Sequence, residues 1–144
     1  MRRSFAFAGL SSYLVLAMTG CGKETDELRV YPVTGKILVS GKPAEGVSVS
    51  FYADAAPPAG KKVPVPTGVS DANGDFQLTS YVRGDGAPAG TYKVSAVWDE
   101  KRPANVSGVF EPKDRLRGRY SSPQTSKLTA KVDEQATELP PFQL

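Results

Sequence analysis

The amino-acid sequence predicts an all-β chain, a single seven-stranded β-sandwich behind a short N-terminal leader. Three observations lead there. Apolar residues alternate with polar ones in short runs, turn signals separate those runs, and no window holds a helical period. The hydrophobic fraction of 40% and charged fraction of 23% lie in the globular range. The 144 residues, less a leader of about 20, suit one domain with one core.

Val33, Gly35, Ile37 and Val39 alternate with Thr34, Lys36 and Leu38, which predicts a half-buried strand ending in the turn Ser40-Gly41-Lys42-Pro43. Val47, Val49, Phe51 and Ala53 alternate with Ser48, Ser50 and Tyr52, a second strand expected in hairpin relation to the first. Residues 54–66 carry four prolines and read as a loop or irregular sheet edge. A short strand at 67–70, the turn Asp71-Ala72-Asn73-Gly74, and a strand through Phe76 and Leu78 form the pattern of an Asn-Gly hairpin. After a Gly/Pro-rich loop at 83–90, Tyr92, Val94, Ala96 and Trp98 share one face of the strongest strand in the chain. Residues 99–119, with six basic and four acidic side chains and no usable period, read as a long loop. Leu128, Ala130 and Val132 give another strand, and Leu139, Phe142 and Leu144 complete the apolar set.

The leader has its own logic. Arg2 and Arg3 form a positive start, residues 5–18 form a short apolar run, and Thr19-Gly20 precede Cys21, the only cysteine. Membrane-spanning helices need about 20 apolar residues, and this run is shorter and interrupted by Ser11 and Ser12. Leu16-Ala17-Met18-Thr19-Gly20-Cys21 resembles the lipobox of bacterial lipoproteins, with Met18 where leucine is commoner. That resemblance implies thioether attachment of a diacylglyceryl group to Cys21, cleavage before it, and acylation (palmitate-like) of the new amino terminus. The expected organisation is therefore signal peptide 1–20, lipidated cysteine and polar tether 21–30, and β-sandwich 31–144. The implied partner is a lipid bilayer, inner or outer membrane, reached through acylated Cys21. Acyl chains gain about 0.8 kcal/mol per buried methylene, so several of them anchor stably.

Charge and residue inventory narrow the chemistry. Removing Arg2 and Arg3 from the 18 basic residues leaves 16 against 15 acidic ones, a net charge of +1, so nucleic-acid binding through overall charge has no support. Histidine is absent, which removes the commonest general base and the commonest metal ligand. No catalytic residue, metal ligand or cofactor is expected. Asp71, Asn73 and Asp75 have the spacing that opens a calcium loop, but Phe76 and Val82 stand where such a loop needs glycine and a bidentate glutamate, so a plain turn is expected.

Of the remaining candidates, Trp98 is in phase with the core. Tyr52 and Tyr81 fall on polar strand faces and are candidates for ligand contact. Lys113, Arg115, Arg117 and Arg119 form an alternating basic run, diluted by Glu111 and Asp114, that is a candidate patch for lipid headgroups or a polyanion. Asn105-Val106-Ser107 matches a glycosylation tripeptide that means little in a bacterium.

The mature segment also resembles a known group, the carboxypeptidase regulatory-like (transthyretin-like) domains of small bacterial lipoproteins abundant in planctomycetes. The resemblance is carried by Val33-Thr34-Gly35-Lys36-Ile37 with Gly41-Lys42-Pro43, by residues 46–51, by Ser70-Asp71-Ala72-Asn73-Gly74-Asp75-Phe76, by residues 84–94, and by Tyr120-Ser121-Ser122-Pro123 with residues 125–129. It implies a sandwich fold and an accessory role; the catalytic residues of carboxypeptidases lie in another domain, and none such is expected here. Some related domains carry a Lys-Asn isopeptide bond; here Asn73 and Asn105 fall in turn and loop, where that bond is not expected. The expected function is a non-enzymatic, membrane-anchored structural or protein-interaction module of the bacterial cell envelope, its partner an envelope protein or glycan. A carbohydrate- or peptidoglycan-binding module is the alternative, and a hydrolase accessory domain the remoter one.

Overall fold

A computed structural model of the chain describes residues 26–144. The leader and Cys21 lie outside the described residues. Within them the fold is all-β, with eleven short strands and no helix. The strands are β1 (Val30–Tyr31), β2 (Val33–Val39), β3 (Lys42–Pro43), β4 (Ser48–Ala53), β5 (Thr67–Val69), β6 (Asp75–Gln77), β7 (Ala87–Pro88), β8 (Gly90–Val97), β9 (Leu128–Val132), β10 (Thr137–Glu138) and β11 (Phe142–Gln143). Seven runs were expected; the extra count comes from two-residue pieces that alternation is too short to reveal.

One sheet has the order β5-β4-β8-β9 and is antiparallel throughout. The other is built around β2, which pairs antiparallel with β6 and β3 and parallel with β10 and β11. Their inward faces interlock. Val33 and Ile37 of β2, Val49 and Phe51 of β4, Phe76 of β6, and Tyr92, Val94 and Ala96 of β8 are buried together. Phe51 is the hub, with its ring 5.9 to 6.4 Å from those of Tyr92, Phe142 and Phe76 in tilted or edge contacts.

Two expected pairings change. β2 and β4 do not form a hairpin: β2 first turns back on β3, and the chain then crosses from one sheet to the other with two of the connecting side chains turned inward. Ala44 and Val47 are in the core, and the Ser70 hydroxyl holds the crossing by donating to Ala44 O (2.6 Å) and accepting from Val47 N (2.9 Å). The Asn-Gly turn forms as expected, but the two strands beside it part. Thr67 and Thr79 exchange both backbone bonds at one end and Asp71 N donates to Asp75 O at the other, while β5 leaves to pair with β4 and β6 to pair with β2. The hairpin thus becomes the corner that joins the sheets.

The segment expected to be a tether is docked from Asp26 onward. Lys62 N donates to Asp26 O at 3.0 Å, Leu28 N donates to the Tyr81 hydroxyl at 3.0 Å, and β1 pairs with β7. Gly86 makes this docking possible. A Cβ there would stand 1.7 Å from Tyr31 O, and its φ of +98° suits only glycine.

Candidate functional site

β8 serves as the axis along which the surface features sort. Its eight residues run about 25 Å at strand rise. At its N-terminal end lie β1 and β7, where the chain joins the sandwich, and Ala53, after which residues 54–66 begin. At its C-terminal end, Trp98 leads into residues 99–119. The two ends carry different chemistry.

The second end is built on Asp114. Its Oδ1 accepts from Trp98 N and Leu116 N, both at 2.9 Å, and Oδ2 accepts from Gly118 N at 2.7 Å. Burial acts to raise the carboxyl pKa, but the three backbone N–H groups outweigh it and hold Asp114 below its usual value. Arg115 N then donates to Trp98 O, and Glu100 N donates to Lys113 O, so the loop expected to be irregular is closed at its root as a ladder extending β8. The Arg115 guanidinium lies 3.5 Å from the centre of the Trp98 ring, a cation–π contact worth about 0.5–2 kcal/mol. On the far edge of the same ring, Nε1 donates to Glu45 O at 2.9 Å, and Lys101 pairs with Glu45. Trp98 is half-buried at the strand end, as its phase predicts.

Of the basic run, Arg115 is therefore engaged, and its role is to cover Trp98. Lys113, Arg117 and Arg119 are exposed. Salt bridges among the described residues engage Lys36, Lys62, Lys93, Lys101 and Lys131 instead, so these three charges stay unpaired there. Arg117 is held at φ +56° by a turn in which its N–H donates to Asp114 O. Val109, on the same loop, is 94% exposed.

Tyr52 and Tyr81 are not brought together. Tyr52 stays on the outer face of β4, 38% exposed, opposite Lys93. Tyr81 is a correction to the expected strand face. It lies in a loop, half-buried, with its hydroxyl accepting from Leu28 N, so it fastens the N-terminal segment. Beside it, Asp85 accepts from Ser80, Tyr81 and Val82 N–H groups. Burial would raise its pKa, yet those bonds carry it down. Neither this carboxylate nor Asp114 was recognised in the sequence as an organiser; the signal available was an Asp followed by glycine within a few residues, the pattern of a side-chain-braced turn.

Asp71 Oδ1 accepts from Asn73 N and Asp75 N, bracing the turn, and Lys36 pairs with Asp75 at 2.6 Å. Where β5 and β6 part, an open groove of about 1010 Å³ forms, bordered by Lys36, Val69, Gln77, Arg83 and Glu138. Its acids, Asp71, Asp75 and Glu138, and its bases, Lys36 and Arg83, come from a turn, a loop and three strands. A smaller cavity of about 380 Å³ lies under the N-terminal segment, among Leu28, Tyr31, Pro57, Pro88 and Tyr92.

No family profile and no curated protein matches the chain. Among solved structures it is similar to the major pilin subunit of Bacillus cereus, at 17% identity over 77% of this chain and 28% of that one, with a TM-score of 0.39. It is also similar to a 9R-lipoxygenase from Cyanothece PCC8801, at 13% identity over 81% of this chain and 16% of that one, with a TM-score of 0.41. The chain thus spans under a third of the length of either protein.

Proposed function

We propose that this chain is a non-enzymatic lipoprotein of the bacterial cell envelope, anchored through acylated Cys21 and presenting one end of a β-sandwich to an envelope protein. The observation that carries the reading is polarity along β8. The chain joins the sandwich at one end, and the exposed basic side chains, Val109 and the Trp98–Arg115 stack occupy the other. A stiff strand of about 25 Å separates the end where the described chain joins the sandwich from the contact surface. The absence of histidine from the sequence supports a binding role over acid–base or zinc chemistry. The glycan-binding alternative rests on Tyr52, Tyr81 and the long loops, and with the Tyr81 hydroxyl engaged by Leu28 N its support is Tyr52 and the loops.

The test has two arms. Cys21→Ser removes the lipid acceptor and is expected to move the protein from membranes to the soluble fraction with its leader uncleaved. Crosslinking in native membranes is expected to trap a protein partner that is lost in the Arg117→Ala/Arg119→Ala variant. A partner retained in that variant would relocate the contact surface, and glycan binding abolished by Tyr52→Ala would favour the carbohydrate module.

A further inference from the structure

We propose that the end of the sandwich formed by residues 26–31, 54–66 and 79–86 rests on the bilayer that holds Cys21, so that residues 99–119 point away from it. This rests on the lipid anchor proposed above and adds an orientation to it.

The first support is reach. Only four residues, Gly22 to Thr25, separate Cys21 from Asp26, so the link spans at most about 18 Å in any conformation. The second is fixation. The domain does not hang from a free neck beyond Asp26, because Asp26 is bonded to Lys62, Leu28 to Tyr81, and Val30 to Pro88. The point of attachment is therefore built into one end of the sandwich.

The third support is an apolar contact at that end. Val82, next to Tyr81, is 69% exposed, and Val65, three residues beyond Lys62, is 48% exposed. Charges in these segments have mixed sign: Arg29, Lys61, Lys62 and Arg83 against Asp26, Glu27, Asp54 and Asp85. Seating this end on headgroups therefore depends on the short link and the valines, not on anionic lipid. The basic loop, about 25 Å further along β8, lies beyond the screening length of about 8–10 Å at physiological salt and does not sense the bilayer in this pose.

Lipidation consumes the thiol of Cys21, the chain's only cysteine, so a second cysteine is uniquely labelled. Full-length lipidated Val82→Cys and Arg117→Cys, both exposed sites, are labelled with an environment-sensitive fluorophore and reconstituted into phosphatidylcholine vesicles, with and without phosphatidylglycerol. Quenching by headgroup-spin-labelled lipid is then read, with thermal melts confirming that each variant is folded. Expected is several-fold stronger quenching at position 82 than at 117 in both vesicle types. Stronger quenching at 117, equal quenching, or quenching at neither site overturns the orientation. Protein that fails to float with vesicles instead defeats the lipid-anchor reading, and the orientation falls with it.

Discussion

Gly35→Ala should destabilise the domain although it adds a single methyl group. Gly35 lies on β2 facing inward, and its φ is outside the left-handed region, so alanine meets no backbone penalty. Taken alone, replacing glycine at such a site stabilises by about 0.4–1 kcal/mol through the unfolded chain. The new methyl, however, would stand 2.5 Å from Cζ and 2.7 Å from Cε1 of Phe76. That ring cannot swing away freely, because it stacks on Phe142 at 6.2 Å and meets Phe51 at 6.4 Å. Overpacking of this kind costs about 1–3 kcal/mol, and a ring held on two sides belongs at the upper end. The net expectation is about 2–2.5 kcal/mol lost, lowering Tm by roughly 6–15 °C for a domain of this size. Urea melts of wild type, Gly35→Ala, Phe76→Leu and the double variant check it. Phe76→Leu removes the colliding ring edge, so the double variant should be more stable than the sum of the single effects by at least about 1 kcal/mol. A Gly35→Ala protein as stable as wild type, or additive behaviour in the cycle, would refute the packing argument.

Three further predictions follow from the same structure. Val94 is 0% exposed on β8, and Val94→Asp places an unpaired charge in the core; a loss of about 4 kcal/mol or more is expected, read as failure to fold or a collapsed melting transition. Asp114→Ala strips the acceptor from three N–H groups, costing about 1–3 kcal/mol, and should redden Trp98 fluorescence as the loop root loosens; because the folded pKa is lowered, the stability Asp114 provides is present above the ordinary carboxylate value and is lost as pH falls through the folded one. Burial, with Tyr81 nearby adding to it, pushes the Tyr92 hydroxyl up to about 12 while it donates to Pro88 O, so its stabilisation is intact below pH 10 and is lost between pH 10 and 12; Tyr92→Phe should remove that alkaline step in pH-dependent melts at a cost of about 1 kcal/mol from the lost hydrogen bond.

Alternation told which side chains face inward but not which strands are neighbours. The inward sets on β2, β4 and β8 were legible because Val33, Ile37, Val49, Phe51, Tyr92 and Val94 each repeat at period two beside polar partners. Pairing was not, since a hairpin and a sheet-to-sheet crossing look alike in sequence, and only the inward turn of Ala44 and Val47 tells them apart. Ser70, which holds that crossing, reads in sequence as the last residue of a short strand. For the candidate site, the basic run was visible as composition, while the engagement of Arg115 with Trp98 required knowing that residue 114 folds back on residue 98. Tyr81 was misplaced for a related reason: its partner Leu28 lies 53 positions away, beyond any local pattern.

The parallel pairing of β10 and β11 with β2 sets an order of events for a chain made from its N-terminus. Pairings such as β2 with β3 and β4 with β5 are complete once the first half has emerged, whereas one whole edge of β2 waits roughly a hundred residues for its partners. Leu144 N then donates to Leu38 O and Ser40 N to Leu144 O, locking the edge from both sides. The chain thus remains open along that edge until residues 137–144 arrive, and the sandwich closes last at its C-terminus. Removing those eight residues should leave an unpaired β2 edge as a template for joining other chains, with aggregation rather than a smaller domain as the product.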